Sequence, residues 1–278
     1  MLKSITCAFV ALIFSATATA QEGPRVLLLT KSSGFQHGVV KKSNNHVKNP
    51  VTTIMQKLCD ENGATLVSTK DARLINELTL ERFDLVIFYT TGDLTISGGT
   101  DGSPGMSDTG VAELTKWIEN GGGFIGFHCA TDTFHTNDEK ISPYTKLIGA
   151  QFKTHGKQFN GSIKVVDPTH PTMVETPQPW VVNDEYYVFN NLNKKNIHVL
   201  AMLETEEEGK KQDKYAIPSY PIIWCSQEGK GRVYYTVQGH REDVWTNPDF
   251  QNNILLAAYW ALGNGPAQAK PNYKKVVK

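Results

Sequence analysis

The stretch that decides the fold is GGGFIGFHCATDTFH, residues Gly121 to His135. The glycines lead into a short run of strand character, and the chain turns polar at His128, directly before Cys129. A strand that turns sharply into a helix and exposes one side chain between small neighbours is a nucleophile elbow. The run GFHCA fits this pattern with His128 in the exposed position, so Cys129 is predicted to point into the fold. The alternative is a polar turn that happens to contain a cysteine.

Outward from this stretch, short apolar strands alternate with helices in the first half of the chain. RVLLLT (25–30) is a continuous apolar run, and FDLVIFYTT (83–91) is apolar on both faces, which is typical of parallel strands covered by helices. The stretches 49–63 and 107–123 carry apolar side chains at helical spacing behind capping residues. Further strands are predicted over 64–69 and 124–128. The alternation predicts an α/β fold built on a parallel sheet.

After residue 150 the sequence pattern changes to strands without long helices between them. Strands are predicted over 162–167, 185–189 and 197–203, and the EGKG turn joins 222–226 to 232–238 as a hairpin. These strands are expected to complete the sheet as antiparallel additions. Asn247 as the cap and Pro248 at the first position predict a final helix that ends at Leu262. We predict one domain over 24–264 and a basic tail, 265–278, that frays.

Composition limits the partners of the protein. The 278 residues are 40% hydrophobic, which is an ordinary globular profile with ample material for a core. Lys+Arg and Asp+Glu each number 28, so the formal net charge is zero. This balance gives no reason to expect nucleic acid or an anionic membrane as a partner.

The first twenty residues have the pattern of a secretory signal peptide. MLKSITCAFVALIFSATATA has a basic residue, then an apolar run too short to span a bilayer, then an A-x-A site that predicts cleavage before Gln21. The alternative is an N-terminal anchor that stays in place. We therefore expect a periplasmic or secreted mature protein, without a later transmembrane segment and without membrane association after cleavage.

Three cysteines remain after cleavage: Cys59, Cys129 and Cys225. Their odd number leaves at least one thiol unpaired, and the absence of a C-x-x-C pair argues against a zinc–cysteine cluster. Buried free thiols are the default expectation, although the sequence leaves open a disulfide between two of them. A hydrolase that uses Cys129 is a further alternative, which the elbow register disfavours.

Polar residues follow four of the predicted strands. In open α/β sheets, ligands bind beyond the carboxyl ends of the parallel strands. A lone histidine in such a position is more often a hydrogen-bonded surface group. Three histidines delivered to one edge by separate segments instead predict a functional site. The residues at this edge are His37 after the first strand, Thr91 and Gly92 after the third, His128 and Asp132 after the fourth, and His240 and Arg241 after the last.

Several stretches resemble, in order, the ThuA-like (trehalose-utilisation) family. They are GGGFIGFHCATDTF, YTKLIGAQFKTH, NDEYYVF, YPIIW, GKGRVYYTVQGHREDVW and AAYWALG, within residues 24–264. The resemblance implies a flavodoxin-like fold similar to class I glutamine amidotransferases, with histidine in place of the amidotransferase cysteine. It also implies a role in sugar catabolism, beside oxidoreductases that make 3-keto-glycosides. The family's polar positions fall here on His37, His128, Asp132, His155, His170, Glu185, His240 and Arg241.

These positions lead to two hypotheses, and the substrate or ligand in both is a small carbohydrate. In the first, an enzyme isomerises or cleaves a keto-sugar or glycoside by acid–base chemistry. In the second, a carbohydrate-binding protein of the cell envelope uses the same groups without catalysis. Beside Glu185, Asp184 is expected to be a solvated acid at a strand start, and His170 before Pro171 is expected to lie in a turn.

The roles within the enzyme hypothesis are as follows. The base is His128 or Glu185, the acid or oxygen ligand is His240 or His37, and Asp132 orients a histidine. A carboxylate beside aromatic rings suits sugar binding. The predicted substrate contacts are His155, Tyr186, Thr91, Gly92 and Arg241. A divalent metal is a further alternative, with His37, His128, His155 and His240 as its candidate ligands.

Overall fold

The computed structural model describes residues 23–41, 49–136 and 140–277. The predicted signal peptide, 1–20, lies outside these ranges. None of the helices in the described ranges is long and apolar enough to cross a membrane. The strands in chain order are β1 (Arg25–Leu29), β2 (Thr65–Thr69), β3 (Leu85–Phe88), β4 (Gly123–Phe127), β5 (Gln151–His155), β6 (Phe159–Val165), β7 (Trp180–Asp184), β8 (Tyr187–Asn190), β9 (His198–Glu204), β10 (Tyr220–Glu228) and β11 (Gly231–Thr236).

Helices cover the sheet and connect its strands. Three of them, α1, α3 and α7, have ten or more residues, and the others are short. The α-helices are α1 (Pro50–Glu61), α2 (Glu77–Leu80), α3 (Gly110–Glu119), α4 (Pro143–Ile148), α5 (Glu206–Gly209), α6 (Glu242–Thr246), α7 (Pro248–Ala261) and α8 (Tyr273–Val276). Turns of 3₁₀-helix lie over Gly38–Val40, Ala72–Leu74, His128–Asp132 and Asp213–Tyr215.

One nine-stranded sheet runs through the molecule in the order β2-β1-β3-β4-β11-β10-β9-β6-β7. The first five strands of this order are parallel. With β11 as the fifth strand, their order is the flavodoxin-like one, which has its crevice between β1 and β3. From β11 onward each neighbouring pair is antiparallel. The predicted α/β fold with antiparallel additions is therefore confirmed, and the β10–β11 hairpin joins its two halves.

Local sequence explains the main elements. All four residues of β3 are buried, as its apolar run predicts. The side chain of Asn49 accepts a hydrogen bond from the backbone N–H of Thr52 and caps α1, with Pro50 at the first position. Asn247 caps α7 in the same way, ahead of Pro248, as predicted.

Two strands and the tail differ from the expectations. Strands β5 and β7 were not predicted from the sequence, and β5 pairs with β8 in a separate two-stranded antiparallel sheet. The tail does not fray over its described residues. The side chain of Asn272 accepts from the backbone N–H of Val199 and donates to its carbonyl, at 2.7 and 3.0 Å. These two bonds dock the tail along β9.

Candidate active site

The site begins where β4 ends. Phe127 is extended, and a 3₁₀ turn begins at His128, which has a φ of 42°. A positive φ is uncommon for a residue with a side chain, so this backbone is held in place by its surroundings. Cys129 is buried, as the elbow register predicts, and burial raises the pKa of its thiol well above its usual range. His128 therefore stands in the nucleophile position of the elbow, and its side chain is completely buried.

Two hydrogen bonds fix the ring and backbone of His128. Its Nδ1 lies 2.7 Å from the carbonyl oxygen of Val237, and its own carbonyl accepts from the hydroxyl of Tyr235 at 2.7 Å. Because a carbonyl oxygen only accepts, Nδ1 carries a proton. In the neutral ring Nε2 is then a lone pair, and it faces the other residues of the site.

The loop after β1 brings in His37. Thr91 holds this loop through its hydroxyl, which donates to the carbonyl of Phe35 at 2.8 Å. Gly92 has a φ of 73°, and a Cβ there would lie 2.4 Å from the backbone nitrogen of Gly34. Thr91 and Gly92 thus set the position of the loop through their hydroxyl and backbone groups.

The loop after β11 brings in His240. It turns at Gly239, whose φ of 113° favours glycine. The carbonyl of Gly239 accepts from the Tyr89 hydroxyl at 3.0 Å and from the Trp245 indole at 2.8 Å. Its N–H donates to Asp184 at 2.7 Å. The backbone before His240 is therefore held on both sides.

Asp184 ties the end of β7 to this loop and presents Glu185. Its carboxylate accepts from the backbone N–H groups of Glu185, Gly239 and Arg241. The expectation of a solvated acid at Asp184 is wrong, since the side chain is fully buried and burial raises its pKa. Asp184 thus acts as a positioning residue for Glu185 and His240.

Four residues converge into what we call the His/Glu cluster: His37, His128, Glu185 and His240. One ligand atom from each lies within 4.8 Å of the others. His240 Nδ1 is 3.2 Å from both His128 Nε2 and Glu185 Oε1, and the latter two atoms are 3.6 Å apart. The carboxyl ends of β1, β4 and β11 supply the three histidines, as the sequence predicted for this edge of the sheet.

Burial and mutual contact perturb the charges of the cluster. Burial, together with His128 and His240, lowers the pKa of His37 to about 2. Burial alone would raise the pKa of Glu185, but its contacts with His128 and His240 outweigh burial and hold the pKa well below its usual range. The cluster thus combines a carboxylate with a neutral imidazole in a buried site.

His155, at the end of β5, supports Glu185 from outside the cluster. Its Nδ1 lies 2.9 Å from the carbonyl of Gly156 and 3.1 Å from Glu185 Oε2. The carbonyl contact requires a proton on Nδ1, so this atom donates and is not available as a metal ligand. Its side chain is 43% exposed, against 10% for Glu185. Three of the four metal ligands predicted from the sequence, His37, His128 and His240, belong to the cluster. The fourth member of the cluster is Glu185 instead of His155.

Other predicted residues lie apart from the cluster. Asp132 pairs with the exposed His135 at 3.0 Å, a histidine that the sequence analysis did not include in the site. Arg241 pairs with Asp243, and its guanidinium donates a hydrogen bond to the side-chain oxygen of Gln158.

Two further predicted positions are buried elsewhere. Tyr186 is in the core, where its hydroxyl donates to the carbonyl of Val182. His170 is buried in a turn, as expected, and bonds Thr172.

Two aromatic residues that were not among the predicted site residues also contact the cluster: Tyr187 and Phe35. The hydroxyl of Tyr187 lies 3.2 Å from His37 Nε2, and its ring packs on His128 with centroids 4.3 Å apart. Strand alternation places Tyr186 and Tyr187 on opposite sides, but it does not say which of the two faces the cluster. Phe35 packs edge-on against His37 and is 67% exposed.

A wide cleft opens beside the cluster. It has a volume of about 780 Å³, and Gln158, His240, Arg241 and Asp243 are among the residues that line it. A separate apolar cavity of about 370 Å³ between α1 and α7 lies at the amino ends of β1 and β3, at the other edge of the sheet from the cluster. His240 is the residue of the His/Glu cluster that lines the polar cleft.

Comparison with known proteins gives one family and one fold. The sequence profile of the ThuA family, described as trehalose utilisation, matches residues 25–261. A ThuA-like protein from Bacteroides uniformis superposes with a TM-score of 0.67 at 18% identity, over 93% of this chain and 99% of that one. A ThuA-like protein from Parabacteroides merdae gives 0.65 at 15% identity, over 90% and 95%.

A larger protein shares the fold in part. A β-galactosidase from Rahnella sp. R3 superposes with a TM-score of 0.52 at 14% identity, over 88% of this chain but only 32% of that one. No protein of curated function matches the chain in sequence. At these identities the solved structures establish the shared fold alone, and it is flavodoxin-like.

Proposed function

The chain belongs to the ThuA family, which is described as trehalose utilisation, and on this premise we propose that it is a sugar-catabolic enzyme that acts on a keto-sugar or glycoside. The observation that carries the proposal is the His/Glu cluster. Three histidines and a carboxylate from four separate segments meet beside an open cleft. Perturbed titratable groups that converge at a cleft are typical of active sites.

The chemistry that fits this cluster is removal of a proton beside a carbonyl. In a 3-keto-glycoside, the ketone acidifies the proton on C2. His240, the partly exposed histidine of the cluster, donates an N–H to the ketone oxygen and stabilises the negative charge that develops on it as the proton leaves. The nearby His155, whose Nδ1 is occupied by Gly156 and Glu185, accepts the proton at Nε2.

Two outcomes balance without an oxidant or reductant. In eliminative cleavage the C1–O bond breaks, the leaving-group oxygen takes up a proton, and a C1–C2 double bond remains in conjugation with the ketone. In isomerisation a proton is added back to the enolate at a different place from the one where it was removed. Two aromatic residues near the cluster suit contact with a sugar ring. Phe35 is exposed beside His37, and Tyr187 packs against His128.

The test is turnover of a 3-keto-glucoside by the purified protein, followed by release of the aglycone or by the ultraviolet absorbance of the enone. His240→Asn removes one group of the cluster, and its side chain is only partly buried. We expect it to lower kcat by about 10²–10³-fold, the usual effect of losing one group that stabilises developing charge. His198→Asn is the control, because His198 pairs with Asp167 away from the site.

Turnover and binding measurements together distinguish the enzyme hypothesis from the carbohydrate-binding hypothesis. If the protein binds keto-glycosides in calorimetry but converts none of them, the enzyme proposal is overturned and the binding role is supported. Equal kcat values for His240→Asn and the control would likewise overturn the assignment of the reaction to the His/Glu cluster.

A further inference from the structure

The protonation pattern of the His/Glu cluster leaves two lone pairs facing each other. His128 Nε2 has no proton in the neutral ring, because Val237 fixes the proton on Nδ1. Glu185 Oε1 is an acceptor, 3.6 Å from that nitrogen. His240 Nδ1 is 3.2 Å from both atoms, and the one proton that it can carry does not satisfy both acceptors fully. A cation at the centre would satisfy all three atoms at once.

The distances have the size that a metal ion imposes. Zinc–nitrogen and zinc–oxygen bonds of about 2.0–2.2 Å place tetrahedral ligands roughly 3.3–3.6 Å apart. The three measured separations are 3.2, 3.2 and 3.6 Å. A triangle with these sides has a circumscribed radius of about 1.9 Å, so one point lies at bonding distance from all three atoms. A ring nitrogen of His37 lies within 4.8 Å of them as the fourth donor.

The surroundings of the cluster match those of metal ligands. A ligating histidine usually donates its other N–H to a carbonyl, as His128 does to Val237. A ligating carboxylate is usually hydrogen-bonded on its second oxygen, as Glu185 is by His155. His37 Nδ1 is buried and has no hydrogen-bond partner among the described residues. We propose that His37, His128, Glu185 and His240 bind one divalent transition-metal ion.

The donor set selects the class of ion. Three imidazoles and one carboxylate suit zinc, cobalt, nickel or iron, whereas magnesium and calcium prefer oxygen ligands. The cleft beside His240 leaves a side from which a substrate oxygen can approach. Metal binding goes beyond the proposed reaction and is measured without substrate, so either proposal can fail while the other holds.

The experiment is metal loading of the full chain. Protein is stripped with a chelator, dialysed, titrated with Zn²⁺ by calorimetry and analysed for bound metal by mass spectrometry. Co²⁺ replaces Zn²⁺ for an absorption spectrum that reports the coordination geometry. We expect about one ion per chain and a rise in Tm on loading, because an ion that binds the folded state stabilises it.

Variants decide whether the ion is in this cluster. His240→Asn should weaken Zn²⁺ binding at least ~100-fold, since even supporting residues are worth about 10–100-fold. The matched control is His198→Asn, which breaks another histidine–carboxylate pair, with a 2.8 Å separation, outside the cluster. If His240→Asn does not fold by circular dichroism, Glu185→Gln makes the same test. Loss of binding in the cluster variant alone supports the proposal. No binding in the unsubstituted protein, or equal binding in the cluster variant and the control, overturns it.

Discussion

The Nδ1 atom of His155 lies 3.1 Å from Oε2 of Glu185, while Oε1 of the same carboxylate faces His128 and His240. His155 thus holds Glu185 from the side opposite the His/Glu cluster. Removing it in His155→Ala should leave the fold intact, because the side chain is half-exposed. We expect the affinity for Zn²⁺ to fall about 10–100-fold. Calorimetric titration of the stripped protein measures this change.

His135→Ala is the matched control for that prediction. His135 is also an exposed histidine paired with a carboxylate, Asp132, at 3.0 Å, but it has no contact with Glu185 among the described residues. Its removal should leave Zn²⁺ affinity within about twofold, as expected for a surface pair. If both variants lose affinity equally, His155 has no specific role in positioning Glu185.

Gly92 controls the loop that carries His37. In Gly92→Ala, the new Cβ would lie 2.4 Å from the backbone nitrogen of Gly34, so the loop must move. We expect loss of metal binding together with a fall of about 1–3 kcal/mol in the free energy of unfolding. Gly98→Ala is the control, because Gly98 has a φ of 89° but no described atom within 4 Å of its Cβ position. Backbone strain without loop displacement should leave metal binding unchanged, and loss of binding in both variants would contradict the prediction.

Asp184 is a buried carboxylate that accepts three backbone N–H groups. In Asp184→Asn, an NH₂ group replaces one carboxylate oxygen and faces a backbone donor such as the N–H of Gly239. That N–H is then left without an acceptor. Urea denaturation should show a loss of about 1–3 kcal/mol in the free energy of unfolding. Asp243→Asn removes a 61%-exposed carboxylate two residues beyond Arg241 and should change stability by less than about 0.5 kcal/mol. Equal losses in the free energy of unfolding would mean that the burial and backbone hydrogen bonds of Asp184 do not stabilise the fold more than an exposed carboxylate does.

The site residues that follow parallel strands could be predicted from the sequence. Those whose position depends on how the later strands pack could not. His37, His128 and His240 follow strands β1, β4 and β11, and the carboxyl ends of parallel strands share one edge, so their convergence was predictable. Asp184 and Tyr187 were not, because β5 and β7 were not recognised. Whether Tyr186 or Tyr187 faces the cluster depends on the register of β8 against β5, which no local pattern specifies.

The cysteines should be inert in the folded protein. In the described ranges Cys59, Cys129 and Cys225 are free and buried, and burial raises the pKa of each thiol. Iodoacetamide should therefore label none of them in native buffer within minutes, and all three in denaturant, as counted by mass spectrometry. Rapid labelling of Cys129 in the native state with loss of turnover would instead revive the cysteine-hydrolase alternative.

His170 should make folding stability depend on pH. Burial, and then the neighbouring His198, lower its pKa to about 4 from the usual 6.5. The backbone N–H of Thr172 donates to His170 Nδ1, so the folded state holds the neutral ring. The folded pKa is depressed, so this stabilisation is fully present above pH 6.5 and is lost as the pH falls towards 4. Linkage gives about 1.4 kcal/mol per pH unit and roughly 3 kcal/mol in all.

The measurement is the free energy of unfolding in urea at half-unit steps from pH 7.5 to 4.5, for the unsubstituted protein and for His170→Gln. A glutamine in the same cavity does not titrate, so its stability should fall less steeply between pH 6.5 and 4.5. The difference between the two curves removes the contribution of the carboxylates, including Asp167, because both proteins share them. Parallel curves over this range would show that protonation of His170 does not oppose folding, and that the buried ring is hydrated or paired in a way its contacts with Thr172 and Cys225 do not indicate.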